Sequence, residues 1–374
     1  MTIKYGKHLE RTSSGQFILH GDIPNETIDA HVHIGAPLHL PLKVGFTLTG
    51  PSHFWGNLTK HIEQLWTYKN HIIQEFSEDF FLALDDLFDV ALFKTEIKGP
   101  EIQPFYLLTS IERLFDPGKP AYLKPLCWPD INMIKDIISI YLNYFNTLKQ
   151  ANIETILSYL NTYHINKAII LPIETGRFTQ FSDETLKVCH EKTQCIPFCS
   201  IHPRHPEAEN KIKIDKNKGA KGVKFHPEYQ GIAPDSKEAF KLFELCDHNQ
   251  LPVQCHVGWP IKAIGMAQPE RYADAIKTYN QVQFILSHIG MASWDKTIDI
   301  AKKFDNVFLE TSGQTVDVIR KAAQSIGIER IIFGSDWPLY HPAVPISRIL
   351  EAFPHSSDQE KVFYQNVTSL IHEK

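Results

Sequence analysis

Nowhere does this 374-residue sequence run to the roughly 20 consecutive apolar residues that a bilayer-spanning helix needs. The opening MTIKYGKHLERTSSGQFILHGDIPNE is polar and lacks the apolar stretch of a secretory signal, so a soluble, cytoplasmic protein without membrane contact is expected. Cysteine pairing is missing too. Cys127, Cys189, Cys195, Cys199, Cys246 and Cys255 include no C-x-x-C pair and no zinc-knuckle spacing. At least three of them sit in apolar segments, where a reduced thiol behaves as a small hydrophobe. There is no excess of positive charge: 38 basic and 43 acidic residues leave a net charge of −5. That balance argues against nucleic acid as a partner, because phosphate binding needs a concentrated basic face. Neither a GxGxxG turn nor a P-loop occurs. What is present is a globular composition, 43% apolar and 22% charged, long enough to form a large core without disulfides. Histidine stands out: there are 19, several at the ends of apolar runs.

Those runs are short and rich in β-formers: TIDAHVHIG (27–35), KAIILPI (167–173), CIPFCSIHP (195–203), KGVKFHP (221–227), LPVQCHVG (251–258), VQFILSHIG (282–290), NVFLETSG (306–313) and RIIFGSDWP (330–338). Most are nearly continuous in hydrophobicity, as parallel strands covered on both faces are. From the second onward their starts lie about 24 to 31 residues apart, room for one helix and two loops. The intervening DSKEAFKLFELCDHNQ, PERYADAIKTYN, ASWDKTIDIAKKF and TVDVIRKAAQSIG read as helices, the first with Ala239, Leu242, Phe243 and Cys246 on one side. Eight strands alternating with helices predict an α/β fold of the (β/α)8 TIM-barrel type, with a doubly wound open sheet as the competitor.

One interval breaks the beat. Between Gly35 and the helix NIETILSYLNTYHI (152–165) lie roughly 115 residues, too many for a βα loop. The stripe Ile134, Ile137, Ile138, Tyr141, Leu142, Phe145 and Leu148 marks a helix there, and aromatics such as Trp55, Trp66, Phe80 and Trp128 are dense. The expectation is a single domain over 1–374 carrying a mainly helical insertion over 40–150. That insertion is open between a subunit contact, which would make a homodimer, and a cap over the catalytic face.

Polar groups recur where the apolar runs end. His31 and His33 form an H-x-H pair whose side chains fall on one side of a strand, leaving Ile28, Ala30, Val32 and Ile34 for the helix-facing side. His256, His288 and Asp336 take the same relative place on three later strands. Burying such groups costs several kcal/mol unless they are paired or ligate something. Alone, each reads as a satisfied core residue; five around one cavity read as a metal site. Imidazole and carboxylate donors suit Zn²⁺, with Fe²⁺, Mn²⁺ or Co²⁺ as alternatives, and a metal with an open position acidifies its water toward neutrality.

The set TIDAHVHIG, GVKFHP, VQCHVG, FILSHIG and FGSDWP, with the late helix DQEKVFYQNVTSLI, resembles the amidohydrolase superfamily. The match is nearest to its amidohydrolase-related branch of lactonases, other hydrolases and nonoxidative decarboxylases such as aminocarboxymuconate-semialdehyde decarboxylase. The resemblance covers about 20–36 and 150–374, and the insertion has no counterpart. It implies His31, His33, His256 and Asp336 as metal ligands, Asp336 doubling as proton shuttle, and His288 polarising substrate or orienting water. Two-metal members bridge their ions with a carbamylated lysine, and Lys224 lies near that place. It is open between a bridging ligand for a second metal, a substrate or supporting contact, and a structural residue.

Weaker candidates surround these. Arg204 is weighed as a partner for a substrate carboxylate against a surface arginine, His226 as a lining of the mouth, and Trp337 and Trp259 as pocket walls against packing residues. Arg177 is a less certain second arginine. Cys255 should point to the helices, and His53, His61 and His71 to solvent. The function expected is hydrolysis of an amide, lactone or ester carbonyl in a small molecule, His288 stabilising the oxyanion. The alternative is metal-dependent nonoxidative decarboxylation, disfavoured by the scarcity of arginines. A noncatalytic binding module built on the aromatic insertion is the remote reading.

Overall fold

The computed structural model describes residues 2–13, 17–34, 151–174, 179–258 and 266–371. The expected insertion over 40–150, its histidines, Cys127, Arg177 and Trp259 lie outside the described residues.

Three short strands, β1 (Thr2–Tyr5), β2 (Leu9–Thr12) and β3 (Phe17–Leu19), form an antiparallel sheet that the sequence reading did not anticipate. Leu9 of β2 packs on Ala343 and Val344, tying this sheet to a late helix.

The barrel begins with β4 (Ile28–Val32), followed by α1 (Ile153–Thr162) and β5 (Lys167–Ile170). Asn152 caps α1 by accepting the Thr155 N–H, and Ile156, Tyr159 and Leu160 are its buried face. Next come α2 (Phe181–His190) and a third strand broken at Phe198 into β6 (Cys195–Pro197) and β7 (Cys199–Ser200). β6 pairs with β5, whereas β7 pairs with the fourth strand. The chain continues through α3 (Ala208–Asn217), β8 (Val223–Phe225), the single turn α4 (Pro227–Gln230), α5 (Lys237–His248) and β9 (Val253–Cys255). In α5 the predicted stripe is the buried one, and Ser236 caps the helix through the Ala239 N–H. α6 (Ala273–Thr278), β10 (Phe284–Leu286), α7 (Trp294–Ala301), β11 (Val307–Glu310), α8 (Val316–Ile326) and β12 (Ile331–Ile332) complete the alternation. α9 (Ala343–Ala352), α10 (Ser356–Glu360) and α11 (Asn366–Ile371) follow.

All barrel pairings are parallel. The ring closes between the last and first strands through a Val32–Trp337 bridge, with Ala30 N–H donating to Phe333 O at 3.0 Å and Asp336 N–H to His31 O at 2.7 Å. The chain is thus a (β/α)8 barrel. Among the described residues no helix is long and apolar enough to cross a membrane.

Alternate residues divide the core. Val223, Phe225, Cys255, Leu286 and Leu309 meet the helices, whereas Ile169, Leu171, Ile196, Ile285 and Ile332 cluster inside the ring with Val367, Leu370 and Ile371 of α11. The first strand departs from its expected alternation. Ile28 and Ala30 join the inner cluster; only Val32 and Ile34 join the helix-facing one. The cause is a register shift between Asp29 and Val32, where β4 uses three residues against two on β5. The bulge lets apolar Ala30 and polar His31 both serve the inside, one above the other.

Candidate metal centre

His31 and His33 emerge from that bulge at the C-terminal rim, and β12 runs on to bring Asp336 beside them. Gly334 makes the approach feasible: a Cβ there would lie 2.4 Å from Glu310 Oε1 and 2.8 Å from His31 Cβ. His31 Nε2 is 3.1 Å from His33 Nε2, and Asp336 Oδ1 is 3.4 Å from the first and 3.3 Å from the second. His31 and Asp336 are buried, while His33 keeps 18% of its side-chain surface exposed, so a ligand would arrive from that side.

The hydrogen bonds behind the rings assign their tautomers. His33 Nδ1 is 2.9 Å from Leu171 O, which can only accept, so Nδ1 carries a proton and, in the neutral ring, Nε2 is bare. His31 Nδ1 is 2.8 Å from Glu310 Oε2. Three other donors already converge on that carboxylate: the Ser312 N–H (2.5 Å), the Ser312 hydroxyl (2.8 Å) and the His288 N–H (3.2 Å). The Lys224 ammonium, 3.2 Å from His31 Nε2, can only donate, so His31 too presents its lone pair at Nε2. Burial, then the positive field of Lys224, pushes the His31 imidazole well below its ordinary range, which keeps the ring neutral. Two imidazole nitrogens and a carboxylate oxygen therefore face one another across 3.1 to 3.4 Å. A cation held among them would satisfy all three at once.

Lys224 supplies part of one. Its Nζ stands 3.2 Å from His31 Nε2, fully buried, and burial lowers the ammonium to about 8 despite the opposing pull of Asp336 and Glu310. Burial and, more weakly, the Asp336 carboxylate raise Glu310 to about 8, against the pull of its donors. A dication among the acceptors would drive both groups toward losing their protons. The donor chemistry fits a divalent metal held by His31, His33 and Asp336, with Glu310 orienting His31 from behind.

The remaining predicted residues spread around the rim. His288 Nδ1 lies 2.7 Å from Ser312 Oγ and 4.0 Å from Asp336 Oδ2, and its ring centroid is 4.9 Å from that of His31. Because the Ser312 hydroxyl hydrogen goes to Glu310, His288 Nδ1 donates to Ser312, leaving Nε2 unprotonated in the neutral ring. His256 lies one neighbour further, 5.1 Å from His288 between centroids, and stacks on His226 at 4.0 Å instead of joining the His31–His33–Asp336 triad. Trp337 stacks on Tyr159 at 5.2 Å within the helix-facing core. Arg204 is exposed, and its guanidinium meets Glu238 at 3.0 Å. Cys255 also faces the helices, its thiol pushed well up by burial, so it is no nucleophile.

Three carboxylates were overlooked. Glu310 ends the run NVFLE just as Asp336 ends RIIFGSD, and that shared placement was the available signal. Asp29 accepts the N–H groups of His31 (3.0 Å) and Ser335 (2.8 Å) and the Tyr159 hydroxyl, joining the first strand, the last strand and α1. Glu228, two residues beyond His226, is buried beside His226 and His256.

A closed parallel barrel with a cation-seeking cluster at its C-terminal rim defines a metal-site α/β-barrel protein. The chain belongs to the amidohydrolase family, whose pattern it matches over residues 178–370. No curated protein matches it. Among solved structures it is similar to an uncharacterized TIM-barrel protein of Bordetella bronchiseptica (17% identity, TM-score 0.51, covering 61% of this chain and 85% of that one). It is also similar to a variant of the 5-carboxyvanillate decarboxylase of Novosphingobium aromaticivorans with bound manganese (16%, 0.52, 65% and 92%). A third is a 2,6-dihydroxybenzoate decarboxylase in complex with 2,6-dihydroxybenzoate (14%, 0.50, 62% and 91%). At these identities the likeness is one of fold.

Proposed function

We propose that the protein is a metal-dependent hydrolase that opens an amide, lactone or ester bond of a small molecule. The observation that carries this reading is the convergence of His31 Nε2, His33 Nε2 and Asp336 Oδ1 within 3.1 to 3.4 Å of one another. Two imidazoles and a carboxylate suit Zn²⁺ and also accommodate Mn²⁺. When bound, such an ion supplies Lewis acidity, acidifying water and polarising a carbonyl.

The chain's own groups handle the protons. Asp336 keeps Oδ2, on the His288 side, for taking a proton from the attacking water and returning it to the leaving group. His288, its imidazole held well below the usual range by burial and so bare at Nε2, would accept a hydrogen bond from the attacking water and orient it, in place of the oxyanion-stabilising role expected from the sequence. Lys224, at about 8, is poised to shed its proton once a dication arrives and then to contact the substrate carbonyl or stand as a neutral amine behind it.

The test is removal and return of the metal. Chelation should abolish turnover of a panel of lactones and aryl esters, and Zn²⁺ or Mn²⁺ should restore it. Asp336→Asn should lower kcat by about 10²- to 10⁴-fold, the span of general acid–base catalysis, with an unchanged melting curve. Asparagine tolerates the left-handed backbone at this position (φ 60°), so the variant tests the carboxylate and not the turn. Full activity in the metal-stripped protein would refute the reading.

A second reading is favoured by two of the solved neighbours, both decarboxylases by name. On that reading the same ligands hold a carboxylated substrate, and a proton replaces carbon dioxide. Measuring carbon dioxide release from hydroxybenzoates beside the ester panel separates the two.

A further inference from the structure

Tyr340 stands four residues beyond Asp336, in the loop that leads from β12 to α9. The Leu339 N–H donates to Asp336 O at 2.8 Å, turning that loop back on itself. The Tyr340 hydroxyl comes to rest against Gly313 in the loop after β11, where a Cβ would lie 2.6 Å from the hydroxyl oxygen. Gly313 (φ 69°) therefore supplies both the left-handed turn and the room for the phenol. The residue before it, Ser312, bonds both His288 and Glu310, so the hydroxyl reaches the β11–β12 side of the candidate metal centre.

That hydroxyl has no hydrogen-bond partner, although Tyr340 is only 2% exposed. A buried hydroxyl without a partner destabilises the fold that holds it. Burial and then the Asp336 carboxylate push the phenol up, so it keeps its proton, while the Arg348 guanidinium lies near enough to oppose that rise. Arg348 donates to Gln314 O at 2.7 Å, one residue from Gly313. A donor that stays protonated, with a guanidinium nearby, lacks only an acceptor carrying negative charge. Hydrolysis creates one. As water adds to the carbonyl carbon, the π pair moves onto the carbonyl oxygen, and His288, bare at Nε2, has no proton to offer it.

We propose that Tyr340 is a catalytic residue whose hydroxyl donates a hydrogen bond to that oxyanion. The assignment rests on the hydrolase reading and deepens it. Because the full negative charge exists only near the transition state, the bond serves kcat and leaves KM alone.

Tyr340→Phe removes the oxygen and nothing else. With Zn²⁺ restored, kcat on the lactone and aryl ester panel should fall about 10²- to 10³-fold at unchanged KM. The metal-free variant should melt at or above the wild-type temperature, because the unpaired hydroxyl is gone. Calorimetric titration of the Zn²⁺-loaded proteins with methyl phenylphosphonate, a tetrahedral anion shaped like the adduct, should show binding about 10- to 100-fold weaker in the variant. Wild-type kcat and wild-type phosphonate affinity in Tyr340→Phe overturn the assignment and leave the hydrolase reading standing, the hydroxyl then meeting an ordered water only. A fall in kcat together with a lower melting temperature overturns it as well, since the hydroxyl would then be holding the fold. Turnover by the chelated wild type, or none by the metal-restored wild type on any member of the panel, removes the hydrolase reading and the assignment with it.

Discussion

Glu310→Gln separates a residue that serves the metal from one that serves only the fold. The side chain keeps its shape and loses its charge. In the wild type, Oε2 takes His31 Nδ1, Ser312 Oγ and the His288 N–H, and Oε1 takes the Ser312 N–H. Glutamine meets the three donors with its oxygen only by turning its NH₂ toward the Ser312 N–H, leaving that donor unsatisfied at about 1–3 kcal/mol. Against this, the variant removes the cost of a carboxyl whose ionisation is raised to about 8. In the metal-free protein the native state holds a proton on Glu310 that the unfolded chain releases above its ordinary pKa near 4.5. Raising the pH from there to about 8 therefore draws the equilibrium toward unfolding. Glu310→Gln deletes this part of the slope, so its metal-free stability should fall less than the wild type's between pH 5 and 8, with the largest gain at the alkaline end. Metal affinity should move the other way. Loss of a carboxylate behind a ligating imidazole weakens binding about 10- to 100-fold, or about 1.4–2.7 kcal/mol. Calorimetric titration with Zn²⁺ or Mn²⁺, beside thermal melts of the stripped protein across that pH range, measures both. Wild-type affinity, or an unaltered pH slope, would refute the role given to Glu310.

Metal binding should also expel protons, because Lys224 and Glu310 both titrate at about 8 without the ion; affinity should rise from pH 6 to 8, and the binding enthalpy should scale with the ionisation enthalpy of the buffer. A buffer-independent enthalpy would contradict this. Gly334→Ala drives a methyl into Glu310 and the His31 Cβ, and should cost about 1–3 kcal/mol in unfolding free energy together with measurable metal affinity. Tyr159→Phe withdraws a donor from buried Asp29 and should lower stability by about 1–3 kcal/mol, since the carboxylate oxygen it leaves lies out of reach of water. A neutral result in urea melts would show that Asp29 is held by its other donors alone.

The parts of this structure that sequence made legible are those where one side chain type repeats at one place in a repeated unit. Apolar runs ending in His256, His288 and Asp336 marked both the strands and the rim, because a parallel barrel puts every strand's C-terminal end at one mouth. The first strand misled, since alternation from His31 assigns Ile28 and Ala30 to the helices. A bulge is a pairing event, and nothing in TIDAHVH specifies that β4 uses one residue more than β5. The N-terminal sheet went unread because TIKY, LERT and FIL are only 4, 4 and 3 residues long, too short for a period to emerge. Glu310 was hidden by expectation. A glutamate ending an apolar strand looks less like a ligand than a histidine does, and this one stands behind a candidate ligand, at His31 Nδ1.

The same rim also explains why its backbone is held so tightly. His288, Ile289 and Asp336 adopt φ values of 63°, 46° and 60°, left-handed conformations that cost about 1–3 kcal/mol each in residues other than glycine. Each of these turns is fastened from a neighbouring strand or the loop after it: the Gln314 amide donates to His288 O at 2.6 Å, Glu310 receives the His288 N–H, and the Asp336 N–H reaches His31 O at 2.7 Å. The strain therefore cannot relax in one strand without breaking a contact in the next. A barrel optimised for stability alone would place apolar residues in relaxed turns here. Strained turns bearing uncompensated acceptors make sense where a cation completes the ring of contacts, and the largest stabilisation by metal should accordingly appear in the turns after β10 and β12. Hydrogen exchange measured with and without Zn²⁺ would locate it, and uniform protection across all eight strands would contradict the argument.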